Sequence, residues 1–155
     1  MKIKDITYFE IEKLNSAFSK VYQQDLPIAG IKTVKNILDK FDVLMGEEES
    51  LKKELAERYG AKDKNGKLKI TPDPKKPGTG MVQFETDEQE QKYLSELQQL
   101  KFQKNDIEVP LKMDFDQFEQ MLVDNNVKLS GNDLALIQAF FEYSESKQDK
   151  NDSQS

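Results

Sequence analysis

Cysteine, histidine and tryptophan are absent from this chain of 155 residues, and Arg58 is its single arginine. Without thiol or imidazole there are no disulfides, no thiolate or imidazole metal sites, no cysteine nucleophile and no histidine proton transfer. One guanidinium cannot supply the set of bidentate forks that reads guanine or clamps phosphates, so no sequence-specific nucleic-acid partner is expected. Long apolar runs are missing too. The opening Met1-Lys2-Ile3-Lys4-Asp5 is too polar for a secretory leader and no segment is long enough to span a bilayer, so the expectation is a cytoplasmic protein without a membrane partner.

What the chain has instead is charge: 34% of its residues are Asp, Glu, Lys or Arg against 36% hydrophobic, for a net charge of -6. That balance suits helices with wide solvated faces better than a compact α/β enzyme. The charges of both signs are interspersed, and Glu47-Glu48-Glu49 is the one tight acidic run, too little for a nucleic-acid mimic. The length accommodates one domain with a modest core, expected over residues 1–143. From Ser144 to Ser155 no large apolar side chain occurs, so that stretch cannot offset the cost of ordering and is expected to be a disordered tail.

Apolar spacing predicts a first helix over about Asp5 to Gln23, carrying Ile6, Phe9, Ile11, Leu14, Phe18, Val21 and Tyr22, with Asp5 as N-cap. Pro27 breaks the pattern and forces a bend. A second, long, coiled-coil-like stripe runs from Ile31 through Val34, Ile37, Leu38, Phe41, Leu44, Leu51 and Leu55 to Tyr59, with a kink allowed at Gly46 and Gly60 as its C-terminal cap. Asn65-Gly66 predicts a type I′ hairpin between Lys62-Asp63-Lys64 and Lys67-Leu68-Lys69-Ile70, with Met81 to Glu85 as a third strand. The connection 71–80 holds Pro72, Pro74, Pro77, Gly78 and Gly80 and reads as a flexible or extended loop. Thr86 to Gln89 is a capping box opening a helix with Tyr93, Leu94, Leu97 and Leu100. A short strand over Ile107 to Leu111 and two short helices, capped at Asp114 or Asp116 and at Ser130-Gly131-Asn132-Asp133, complete the pattern. The fold class is therefore α+β and mainly helical, with a small antiparallel hairpin or sheet inserted between long helices.

The succession Leu55-Ala56-Glu57-Arg58-Tyr59-Gly60, Lys62 to Gly66, Val82-Gln83-Phe84-Glu85, Ile107-Glu108-Val109-Pro110 and Leu129 to Leu134 resembles small uncharacterised proteins of tailed phages and prophages of Gram-positive bacteria. It is similar to the family catalogued as domain of unknown function 1617, over roughly Leu26 to Phe141. The resemblance implies a viral context, hence the host cytoplasm, and brings no catalytic residues with it.

Carboxylates are the only catalytic stock. Asp114 with Asp116, or Glu47 to Glu49, have oxygens for Mg²⁺ or Ca²⁺, but capping and a solvated helix face explain them better. Asp63-Lys64-Asn65-Gly66 starts like a calcium loop and then departs from it, with Gly66 too early and no glutamate closing twelve residues. Gly78-Thr79-Gly80 lacks the lysine and frame of a phosphate loop. No catalytic, cofactor-binding or metal-ligating residue and no small-molecule substrate is assigned. The sequence points to a non-enzymatic interaction protein, an accessory or assembly factor or a modulator of a host protein, binding a protein partner or itself. Its candidate surface is Leu51, Leu55 and Tyr59, where the long helix carries more apolar face than a short neighbour covers. A structural virion component and a carboxylate-dependent, metal-assisted enzyme are the alternatives.

Overall fold

The computed structural model describes residues 1–142 in full and the backbone course of 143–152, so the tail expected over 144–155 lies outside the fully described residues. The elements run β1 (Lys2–Thr7), α1 (Tyr8–Tyr22), α2 (Ile28–Tyr59), β2 (Ile70–Pro72), β3 (Gly80–Val82), α3 (Asp87–Lys101), β4 (Lys104–Glu108), α4 (Phe115–Asp124) and α5 (Gly131–Asp152). The protein is mainly helical α+β, with two small antiparallel sheets of two strands each among the described residues. The chain gathers into two compact units: residues 1–45 with those from Gln103 onward, and Gly46–Phe102.

The first unit holds the aromatic core. Phe18 of α1 meets Phe41 of α2 at 6.2 Å between ring centroids, Phe118 of α4 at 6.1 Å and Phe140 of α5 at 5.3 Å. The last two contacts are edge-on, the arrangement the ring quadrupole favours. Phe18, Phe41 and Phe118 are fully buried, as are Ile11, Val21, Val34, Ile37 and Ile137. Each such side chain contributes on the order of 1.5–3 kcal/mol before entropy is counted. Gly30 lets α2 approach α4, because a Cβ there would stand 2.2 Å from Met121 Sδ.

A sheet not anticipated from the sequence closes this unit. β1 pairs antiparallel with β4, Ile3 opposite Ile107 and Ile6 opposite Asn105, with a register shift between Ile3 and Ile6. Lys4 and Asp5 thus oppose the single residue Asp106, which is a β-bulge. Asp5 takes φ 61°, and its amide donates to Asp106 Oδ1 at 3.1 Å. The helix begun at Asp5 in the sequence reading therefore begins at Tyr8, and its N-cap is Thr7. Thr7 Oγ1 accepts from the Glu10 amide at 3.1 Å while Glu10 Oε1 accepts from the Thr7 amide at 3.4 Å, a capping box that Asp5 could not form. Asp114 with Gln117 builds a second such box at α4.

Candidate functional site

The second unit carries every residue of the candidate interaction surface, and it is built differently. α2 continues through Gly46 to Tyr59 without interruption. Gly60 follows, and its amide donates to Ala56 O at 2.8 Å. Gly60 does not take the left-handed conformation of a glycine cap; it is the point where the β-segments press on the helix end. A Cβ at Gly60 would lie 2.2 Å from Leu68 Cδ1, 2.6 Å from Ala56 O and 2.9 Å from Val82 Cγ1.

Beyond Gly60 three backbone segments meet in a closed ring of hydrogen bonds. Ala61 N donates to Gln83 O at 2.7 Å, Gln83 N to Lys69 O at 3.1 Å, and Lys69 N to Ala61 O at 2.8 Å. The expected turn at Asn65-Gly66 is present in another form. Gly66 has φ 76° whereas Asn65 is not left-handed, Gly66 N donates to Asp63 O at 3.0 Å, and Asp63 N donates to Lys67 O at 2.7 Å. This is a type I turn followed by a glycine bulge, not type I′. Asp63 selects it, because its Oδ1 accepts from the amides of Asn65 (2.8 Å) and Lys67 (2.9 Å), which also commits the carboxylate of the calcium-like stretch to the backbone.

The connection expected to be flexible or extended over 71–80 is narrower and internally bonded. β2 and β3 pair with Ile70 opposite Val82, Thr71 opposite Met81 and Pro72 opposite Gly80. Asp73 N donates to Thr79 O at 2.9 Å, and Asp73 Oδ1 accepts from Lys75 N at 2.8 Å. Alternation along the strands sorts their faces. Leu68, Ile70 and Val82 share the face that meets Gly60, while Lys67, Lys69, Thr71, Met81 and Gln83 take the other, where Gln83 Nε2 donates to Thr71 Oγ1 at 2.6 Å.

Leu51, Leu55 and Tyr59 are each half-buried. Tyr59 is tied to α3, its hydroxyl donating to Glu96 Oε1 at 2.8 Å, with Arg58 Nη1 3.7 Å from the other oxygen. α3 opens at the expected N-cap, with Thr86 Oγ1 accepting from Gln89 N at 3.2 Å, but only this half of the expected capping box is formed, without the return bond from the Gln89 side chain. The Tyr93 ring packs on Phe84 at 5.0 Å, and burial pushes its phenol above the usual range, with the Lys52 charge opposing. It stays protonated at neutral pH. The acidic run is split: Glu48 is buried with Lys52 Nζ 2.8 Å away, whereas Glu47 and Glu49 are exposed. Asp114 is spent on its cap, and among the described residues no three acidic side chains converge to hold a metal ion. Exposed on this unit stand Ile70, Met81 and Leu94, which the sequence reading did not single out as a surface; the strand alternation and the α3 stripe carried that signal.

The first unit contains an apolar cleft of about 220 Å³ lined by Ile3, Ile6, Phe9, Leu14, Leu136 and Phe140. Its two ionisable neighbours are already engaged: Glu10 caps α1, and Lys13 Nζ lies 4.1 Å from the centre of the Phe9 ring. No helix among the described residues is long and apolar enough to cross a membrane. No family model, curated protein or solved structure matches the chain.

Proposed function

We propose that this is a phage-encoded protein of the host cytoplasm that acts by binding another protein or a second copy of itself, and not by chemistry. The observation that supports it is the thin enclosure of the second unit. Leu51, Leu55, Tyr59, Tyr93 and Leu97 are only half-covered there, and Ile70, Met81 and Leu94 are open to solvent. Apolar area left accessible beside charged residues is what association consumes. The lack of histidine and cysteine argues in the same direction, since no thiol or imidazole is available and among the described residues no three acidic side chains converge.

The test combines light scattering with affinity capture from infected cells, comparing wild type with a Met81→Asp, Leu94→Asp double variant. Both positions are exposed, so circular dichroism should be unchanged. Wild type is expected to self-associate or to retain one stoichiometric protein, and the variant to lose it. Recovery of the chain in purified particles would shift the reading to a virion component. A monomer that retains nothing, yet shows metal-dependent turnover lost on changing a carboxylate, would replace it with the enzyme.

A further inference from the structure

Beyond protein binding, we propose that the lysine face of the β-arm, residues 61–80, grips the phosphate backbone of duplex nucleic acid without regard to sequence. The arm holds six lysines against two aspartates, a net charge of +4 in a chain whose total is -6, which leaves -10 on the remainder. Neither aspartate projects its charge freely, since the Asp63 and Asp73 carboxylates both accept from backbone amides at the two turns. Lys62 pairs with Glu57 at 2.6 Å. Lys64, Lys67, Lys69, Lys75 and Lys76 are exposed, and none has an acidic partner among the described residues.

Their placement is not scattered. Lys67 and Lys69 fall two residues apart on the face turned away from Gly60, and Lys64 and the Lys75-Lys76 pair occupy the two turns. Towards the second turn the arm narrows to the two strands β2 and β3, exposed along all of β2 and most of β3, while at Lys67 to Lys69 the segment Ala61–Lys62 lies alongside as well. A two-stranded ribbon is one of the two elements that the major groove of B-DNA admits. Lysines are point charges on flexible stems, suited to a phosphate row and unsuited to planar carboxylate or base-edge forks, so the contact reads no bases. The tip, Asp73 to Thr79, has no large apolar side chain to insert, which disfavours a lipid surface. The acidic remainder repels the same ligand and confines it to the arm, by an amount that salt screens.

The experiment is fluorescence anisotropy of the full chain with a labelled duplex of about 25 base pairs, titrated between about 50 and about 200 mM salt. Five phosphate contacts set a log–log slope of about -4.5, roughly a 500-fold loss of affinity over that fourfold change in salt. A second duplex of unrelated sequence should give the same curve. Lys67→Gln with Lys69→Gln, or independently Lys75→Gln with Lys76→Gln, should each reduce the slope by about 2, with helical content unchanged. The inference is overturned by absence of binding at the lowest salt, or by both pairs of variants binding as wild type does. It is equally overturned if poly-glutamate at matched charge competes fully, which would make the partner an acidic protein, or if anionic vesicles bind more tightly than the duplex.

Discussion

The two units solve the problem of holding their backbones in opposite ways. The first encloses large side chains completely, with Phe18, Phe41 and Phe118 at no measurable exposure. The second has only Glu48, Ala56, Ala61 and Leu100 buried, two of them alanines. It relies on close approach and main-chain bonding: a glycine that admits Leu68 and Val82 to the helix end, a ring of three hydrogen bonds, and aspartates that knit the turns. Exposed large apolar side chains occur on both units, Ile28, Val43 and Val123 on the first and Ile70, Met81, Leu94 and Phe102 on the second, but only the second leaves Leu51, Leu55 and Tyr59 half-covered with almost no large side chain buried beside them.

The strongest way to test that contrast is Phe18→Ala, which removes the ring that three others touch. A loss of about 3–5 kcal/mol is expected from a cavity of this kind, read as a lowered denaturant midpoint. Hydrogen exchange then asks how far the damage extends. If the amides of Ala61, Lys69 and Gln83 lose protection together with those of α1, the two units unfold as one and the comparison fails.

Gly60→Ala approaches from the other side. Its new Cβ would stand 2.6 Å from the Ala56 carbonyl oxygen, which cannot swing away as a side chain does. Overpacking of this type costs about 1–3 kcal/mol. Exchange should accelerate at Ala61, Lys69 and Gln83 while the aromatic unit is unaffected.

The smallest effect is electrostatic. Lys20 Nζ lies 2.8 Å from Asp133 Oδ2, linking α1 to α5, and that hydrogen bond holds the Asp133 carboxyl below its ordinary range. A depressed carboxylate adds stability above its unfolded pKa and loses it as pH falls through the folded value. The contribution should therefore be complete at neutral pH and fade below about pH 4. Since the lysine is largely exposed, it amounts to less than about 1 kcal/mol. Lys20→Met should lower the melting temperature slightly at pH 7, and the difference from wild type should shrink progressively as the pH is taken below about 4.

The helices were legible because their apolar residues recur at helical spacing and their caps are local, as at Thr86, Asp114 and Ser130. β1 was not, and the bulge is the reason. By inserting a residue at Asp5 it brings Ile3 and Ile6, three apart, to the same buried side, so a strand presents the spacing of a helix turn. Its partner β4 is also remote in sequence, beyond the reach of local patterns. The hairpin at Gly66 was legible but its type was not, since Asn-Gly signals type I′ and the decision belonged to Asp63, two positions upstream of Asn65. Of the candidate surface, Leu51, Leu55 and Tyr59 were correctly placed on the long helix, while the bond that ties Tyr59 to Glu96 of α3 is a contact no single-helix pattern encodes.

The bulged pairing of β1 with β4 also imposes a timetable on synthesis. Asp5 leaves the ribosome 101 residues ahead of Asp106, an interval of about 5–20 s at roughly 5–20 residues per second. During that wait the segment 46–102 is delivered whole, with all three members of its backbone ring, while α1 still lacks Phe118 and Phe140. The inserted unit can thus close on the nascent chain while the first strand and its aromatic neighbour stay open, and that exposed interval is where a chaperone would find its substrate.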